Sequence, residues 1–554
     1  MAASSSDAQP AAGGDGESDE ERQRRGERER VLWQQIADTP GLFSIVMPFL
    51  PIHLLMQLQL PPLTWQNAAR KQHHLTISAA DENERSFWQR TTTDLVKEWA
   101  TYLTKLTCVV LCYPLGFPMW CLDVFVAVIE GHIAGRRAAN MDGGTLQTIS
   151  IEEGVRLTDT ARRTVARIDP PLPPPLDPPP TLHALTTITG LTLYHEMLAD
   201  RRWRMPSLPI VRQGEWGFDS LRLGQIISSS RSLRRVDGSF RGDGWARVFE
   251  GVPEAPAGQR GGPLSNLESI GTILVEGDYP AGIDRQFVAR LEAVLVARGC
   301  RQLLKQLHVR FAAYDVLRDI LPVLLDRRYV PVLLALDHLV ATCCRQDTEL
   351  TLTAKGNLEF DLSIFYHTDF PTHPSPSFKT MIQQLARQAT SVHYFFTQDG
   401  LTDPHTNPSQ SAIDIASSLS FDKVKTVSIK NTPGFDPPAN TPSPHPSIIT
   451  HLQPFPKASR LDVKSKLGGA AARLLADRMP KEVERADIQE ALGGEEKVGV
   501  LTALGREREV RDVRMGQVDI DQLEQLLMGA ADRLPTIREL DFTMTPSSAP
   551  TSHR

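Results

Sequence analysis

The sequence predicts an α/β fold: an irregular solenoid of parallel strands with outer helices, preceded by a small all-α domain. The first of three observations is a recurring apolar-x-x-apolar-x-apolar triplet. Its copies are Ile188, Leu191, Leu193; Ile270, Ile273, Val275; Leu304, Leu307, Val309; Val424, Val427, Ile429; Ala458, Leu461, Val463; Val510, Val513, Met515; and Ile537, Leu540, Phe542. The second is spacing. Ile273 to Leu307 and Val427 to Leu461 are each 34 residues, and periods of roughly 20–50 residues mark stacked repeats. The third is the segment between triplets, which carries helical periodicity where it is clearest.

The elements follow in chain order. Residues 1–18 are Ala-, Ser-, Gly- and Asp-rich with no apolar stretch, which excludes a secretory signal here. Residues 1–30 read as a disordered tail, with Asp19 to Arg30 a disordered or solvated helical lead-in. Residues 31–75 form a compact apolar helical block. Residues 76–168 read as helical, with Phe87, Trp88, Leu95, Trp99 and Leu103 at helical spacing. Within them, Leu106 to Leu122 holds no charged residue. A membrane span needs about 20 apolar residues. Pro114, Gly116 and Pro118 interrupt this run, and Asp123 at mid-bilayer costs roughly 2.5–3.5 kcal/mol. Two short buried helices around a Pro turn are therefore expected, and membrane attachment through 106–130 is the alternative. Residues 169–181 include Asp169-Pro-Pro-Leu-Pro-Pro-Pro-Leu-Asp-Pro-Pro-Pro180, a polyproline II spacer and domain boundary.

The solenoid is assigned to 182–546 and a second disordered tail to 547–554. Its clearest unit is 284–309. Asp284 suits a helix N-cap; Phe287, Val288, Leu291, Val294 and Leu295 make one helix face; Gly299 suits the stop; Leu304, Leu307 and Val309 supply the strand. Residues 376–396 repeat this with Met381, Ile382 and Leu385 before Val392 and Tyr394. The last unit has Ile520, Leu523, Leu526 and Leu527, then the strand at Ile537. Residues 349–366 alternate apolar and polar around Lys355-Gly-Asn357, the pattern of a β-hairpin with Glu359 and Asp361 on a solvated face. Residues 398–417 and 432–447 read as loops. In 199–262 the best repeat candidate is Leu233 with Val236.

The chemistry is defined mainly by what is missing. The formal net charge of -6 supplies no basic footprint for nucleic acid. No phosphate-loop, dinucleotide, zinc-helix or nucleophile-elbow motif occurs, so no catalytic, cofactor or metal residues are assigned and a non-enzymatic binding protein is expected. The six Cys form no paired C-x-x-C, and the spacing of Cys108, Cys112, Cys121 and His132 matches no zinc module. They read as reduced, buried thiols of an intracellular protein, cytoplasmic or nuclear. Arg201, Arg202, Arg204 and Arg231, Arg234, Arg235 read as solvated clusters.

Two resemblances arise from these residues. The repeats, above all Leu534-Pro-Thr-Ile-Arg-Glu-Leu-Asp-Phe542, resemble leucine-rich repeat proteins of the longer, ribonuclease-inhibitor-like type. Most copies lack that family's turn-closing Asn or Cys, and Asn431 is the nearest match. Residues 42–65 resemble an F-box, with Leu42, Ile45, Phe49, Leu50, Pro51, Leu54, Leu55, Leu58 and Trp65 at matching places. The opening Leu-Pro-x-Glu is replaced by Pro40-Gly-Leu-Phe43, and Pro61-Pro62 stand where a third helix begins. Together the resemblances imply a substrate receptor of a cullin-type ubiquitin ligase. Its protein partners are a small adaptor subunit, docked through Leu50, Pro51, Ile52 and Leu54, and a target protein held by the repeats. The alternative is an interaction scaffold with no ligase role.

Overall fold

The computed structural model describes most of residues 19–544. Outside the description lie 1–18, 39–44, 58–61, 79–81, 115–119, 155–174, 278–284, 314–321, 397–407, 432–446, most of 519–530, 545–554 and a few shorter stretches. The chain divides into two compact units, Met1–Leu185 and Thr186–Arg554. The two terminal tails and most of the Pro-rich spacer fall largely outside the described residues. The lead-in from Asp19 does form a helix, Asp19–Asp38, whose described side chains are exposed.

In the first unit, helices Ile52–Gln57 and Pro62–Ala69 precede strand β1 (His74–Ser78). Helices Glu82–Arg90 and Thr93–Ala100 lead to β2 (Cys108–Pro114), and helix Trp120–Ala138 leads to β3 (Thr148–Gly154). The three strands pair in parallel, β1 with β2 and β2 with β3. The Thr92 side chain starts the second helix by accepting from Leu95 N at 3.3 Å.

These strands correct the expectation of a purely helical 76–168 behind an all-α domain. The physical reason is that Val109, Val110 and Leu111 are all buried. A strand covered on both faces reads as a continuous apolar run, and periodicity does not separate that run from a buried helix. The first of the two expected buried helices is therefore β2. The second is real and begins at Trp120. Its residues from Trp120 to Ile129, with the exception of half-buried Asp123, are buried in the unit's core. Among the described residues no helix is long and apolar enough to cross a membrane.

The second unit carries two parallel sheets. One runs β4 (Thr187–Leu191), β5 (Ile210–Gln213), β6 (Arg235–Arg241), β7 (Ser269–Gly277), β8 (Leu304–Ala313), then β10 (Cys344–Ala354). The other runs β9 (Val323–Leu325), β11 (Leu358–Asp361), β12 (Ser391–Phe396), β13 (Thr426–Asn431), β14 (Arg460–Val463), β15 (Glu482–Ile488), β16 (Glu509–Val518) and β17 (Thr536–Met544). Strand order follows chain order except where β9 and β10 fall in different sheets.

From β13 to β17 the apolar triplets lie in register as expected, whereas between β7 and β8 a bulge shifts them, so that Ile273 pairs with Val309 rather than Leu307. Val427, Leu461, Ala486, Val513 and Leu540 are successive partners, as are Ile429, Val463 and Ile488. All of these but Leu540 are fully buried. The 284–309 unit also forms as expected: helix Arg285–Ala297 buries Val288, Leu291, Val294 and Leu295, and Gly299 turns with φ +90 before β8. Asp284 lies outside the described residues, as does most of the Ile520–Leu527 face. Helix Pro376–Gln388 begins at Ser375, whose Oγ accepts from Phe378 N at 3.0 Å. Consecutive helices pack side by side, Gly242–Glu250 on Arg285–Ala297 and Gly469–Asp477 on Gly494–Leu504.

The hairpin expected at 349–366 is absent. Gly356, at φ +83, lets the chain pass from β10, parallel to β8, into β11, parallel to β9 and β12. Among the described residues no strand pairs with the far side of β10. Its backbone is met instead by glutamines of helix Pro376–Gln388. Gln384 Oε1 accepts from Leu352 N at 2.8 Å, Gln384 Nε2 donates to Leu350 O at 2.7 Å, and Gln388 Nε2 donates to Leu352 O at 2.6 Å. Side chains thus satisfy a strand edge that would otherwise stand unpaired.

Candidate functional site

Each apolar triplet leaves one residue between its last two apolar positions, and successive side chains of a strand point to opposite faces. The strand pairing brings these intervening residues into a polar row: Asp361, His393, Ser428, Asp462, Asp487, Arg514, Asp541. A second row two residues upstream runs Glu359, Ser391, Thr426, Arg460, Arg485, Asp512, Glu539. Asp361, His393, Ser428, Asp462 and Asp487 are buried, whereas Arg514 and Asp541 are exposed.

Two networks compensate the buried polar groups. In the first, His393 Nδ1 hydrogen-bonds Ser428 Oγ, and His393 Nε2 lies 3.0 Å from Glu359 Oε2. The bond to His393 holds the Glu359 carboxyl below the usual carboxylate range, against the opposing effect of burial. Beside it, Asp361 accepts from Ser363 N at 3.0 Å, from Ser363 Oγ, and from Phe395 N at 3.4 Å. Burial nevertheless pushes Asp361 up to about 7, and the nearby Asp326 charge adds to the rise.

The second network is ionic. Arg460 Nε donates to Asp462 Oδ1 at 2.6 Å, and Arg485 donates to Asp487 Oδ2 at 3.2 Å. Arg485 Nε stands 3.8 Å from Asp512 Oδ2, which also accepts from Arg514 Nε at 3.1 Å. The bond to Asp462 raises the Arg460 guanidinium above its ordinary value. Each strand carries its own cation–carboxylate pair, Arg460 with Asp462, Arg485 with Asp487 and Arg514 with Asp512, which offsets the like charges that stand opposite one another at Arg460–Arg485 and Asp462–Asp487.

Glu359, His393 and Ser428 share the bonding pattern of an acid–base–hydroxyl relay. Ser428 has no exposed surface, so its hydroxyl meets His393 rather than a substrate, and the trio fixes neighbouring strands. No group of three His, Cys, Asp or Glu among the described residues is arranged to hold a metal ion. Along this face β16 and β17 leave Arg514, Asp541 and Glu539 exposed.

The residues singled out for adaptor docking separate. Pro51 is exposed, Leu54 is 39% exposed, Leu50 is half-buried and Ile52 is buried. Leu50 O also accepts from Gln72 Nε2 at 2.9 Å, tying the turn to its own unit. The same segment exposes Ile45 at 62%, Phe49 at 84% and Leu63 at 74%. Leu42 and Leu58 lie outside the described residues. The polar row was missed from sequence because Glu359 and Asp361 were assigned to a solvated hairpin. The available signal was the intervening position in each triplet. No protein-family model matches this chain, and no curated protein matches it either.

Proposed function

We propose that this chain is a non-enzymatic, intracellular partner-binding protein in which the second unit is a leucine-rich-type α/β solenoid. The observation that carries this reading is the consecutive parallel pairing of β11 to β17, one triplet beside the next. A stack of this kind gives a run of strand faces on which a partner meets many side chains at once. The F-box-like segment adds a second binding function, docking of the small adaptor subunit of a cullin-type ubiquitin ligase. Exposed Phe49, Pro51 and Leu54 support it. In the full-length chain, micromolar binding of purified adaptor is expected. Phe49→Asp with Leu54→Asp weakens it at least tenfold, about 1.4 kcal/mol. Absence of binding by the unaltered chain removes the ligase role.

The burial of Ile52 favours a second reading, a scaffold in which this segment caps its own unit. That reading expects no adaptor binding, and expects Ile52→Asp to destabilise the chain while Phe49→Asp does not.

A further inference from the structure

Cys300 and Cys343 are fully buried free thiols that belong to neither polar network nor to the docking segment. A buried cysteine ordinarily serves as a small apolar side chain. These two also meet each other. A bond to the Cys300 thiol, and then burial, raises the Cys343 thiol above its ordinary range. The backbones that carry them are tied as well. Gln302 N donates to Thr342 O at 3.0 Å, and Leu303 N to Cys343 O at 2.8 Å. Immediately afterwards Leu304 of β8 and Cys344 of β10 pair as strand neighbours. A disulfide needs Cα atoms roughly 4.4–6.8 Å apart, an approach that interacting thiols on tied backbones favour.

The pair joins neighbouring units. Cys300 follows helix Arg285–Ala297, and Cys343 ends helix Val330–Cys343, which packs beside it. Between the two cysteines the chain leaves one sheet of the second unit, contributes β9 to the other, and returns to β10. The turn at Cys300 is strained. Gly299 at φ +90 and Gln302 at φ 53 are both left-handed, and a glutamine side chain disfavours that conformation. Stored strain of this kind makes local opening easier. Opening matters here, because a buried thiol that stays protonated is a poor nucleophile. Of the charged groups near Cys343, Glu292 opposes the thiolate and Arg301 favours it.

We propose that Cys300 and Cys343 form a redox-sensitive pair that hydrogen peroxide converts to a disulfide, locking two neighbouring units where the chain crosses between the sheets. When the turn opens, one thiolate attacks a peroxide oxygen. The O–O bond breaks, and the hydroxide released takes up the thiol's proton as water, leaving a sulfenic acid. The second sulfur then attacks the sulfenic sulfur. The S–S bond forms, the S–O bond breaks and a second water leaves. Together the two thiols lose two electrons and two protons, and the peroxide is reduced to two waters.

The test treats the reduced, full-length chain with millimolar hydrogen peroxide, alkylates it in denaturant and maps its peptides without reduction. A Cys300–Cys343 link is expected, with loss of two of the six thiols. Urea below the unfolding transition is expected to speed linking severalfold, since opening limits the reaction. Cys343→Ala is expected to abolish the link and Cys344→Ala to keep it. The oxidised chain is expected to unfold at a higher urea concentration than the reduced chain, and dithiothreitol is expected to erase that shift. Retention of all six thiols after hours in peroxide with sub-transition urea overturns the proposal. So does linkage that runs mainly through Cys344, or a link that leaves the unfolding midpoint unmoved. The mapping of the unaltered chain decides the matter even where a variant fails to fold.

Discussion

Asp361 stands out among single residues, because its carboxyl is buried yet built into a helix start. It caps the short turn Leu362–Tyr366 through Ser363 N. Its ordinary value is 3.8 and the fold moves it to about 7. Between those two values the folded chain keeps a proton that the unfolded chain has released. Raising the pH through that window therefore removes stability. His132 and His195 act in the opposite sense, since burial lowers each from 6.5 to about 4. Across that window only the unfolded chain is protonated, so their effect is to add stability as pH rises. Asp361→Asn leaves both histidines in place, and the histidine contribution cancels in the comparison. The melting temperature of the variant relative to the unaltered chain is expected to climb from about pH 4 to about pH 7 and then level off. A flat difference would show that Asp361 titrates normally. None of this was legible in Leu-Glu-Phe-Asp read alone. A strand residue's burial depends on what its lateral neighbours are, and those neighbours, His393 and Ser428, lie 32 and 67 positions downstream.

At the scale of elements, the triplets were legible because their chemistry is local: three apolar side chains at fixed spacing commit one strand face to a core. The Gly299 turn and the helix from Pro376 were legible for the same reason. What failed was any judgement that needed a second segment. Cys108–Pro114 and the chain through Lys355-Gly-Asn357 were misread because the strands that pair with them are remote. The edge of β10 is another such case. Gln384 and Gln388 read as ordinary polar positions on an amphipathic helix, yet they complete the hydrogen bonding of β10. Gln384→Leu keeps the helix and leaves Leu352 N–H and Leu350 C=O without these partners. Such a loss costs about 1–3 kcal/mol. Chemical denaturation is expected to show it, and Gln383→Leu one position away, on a side chain that bonds the Ser418 hydroxyl rather than a strand edge, is expected to cost less. Equal costs would mean that water replaces Gln384 at the edge.

For the molecule, nearest-neighbour strand pairing makes stability depend on position along the stack. Among the described residues β17 has a strand partner on one side only, and most of its side chains are exposed, including Leu540 at 36% and Met544 at 50%. Leu461 of β14 is fully buried and flanked by Val427 and Ala486. Truncating a buried leucine to alanine costs about 2–5 kcal/mol. Removing residues 536–554 takes away an entire strand and uncovers the β16 edge, where Val510 and Val513 pair with Ile537 and Leu540. The deletion is therefore expected to leave the remaining strands folded and to lower the denaturation midpoint less than the single change Leu461→Ala. Circular dichroism against denaturant compares the two directly. If the deletion unfolds the chain while Leu461→Ala is tolerated, stability does not divide strand by strand, and the solenoid reading of the second unit fails with it.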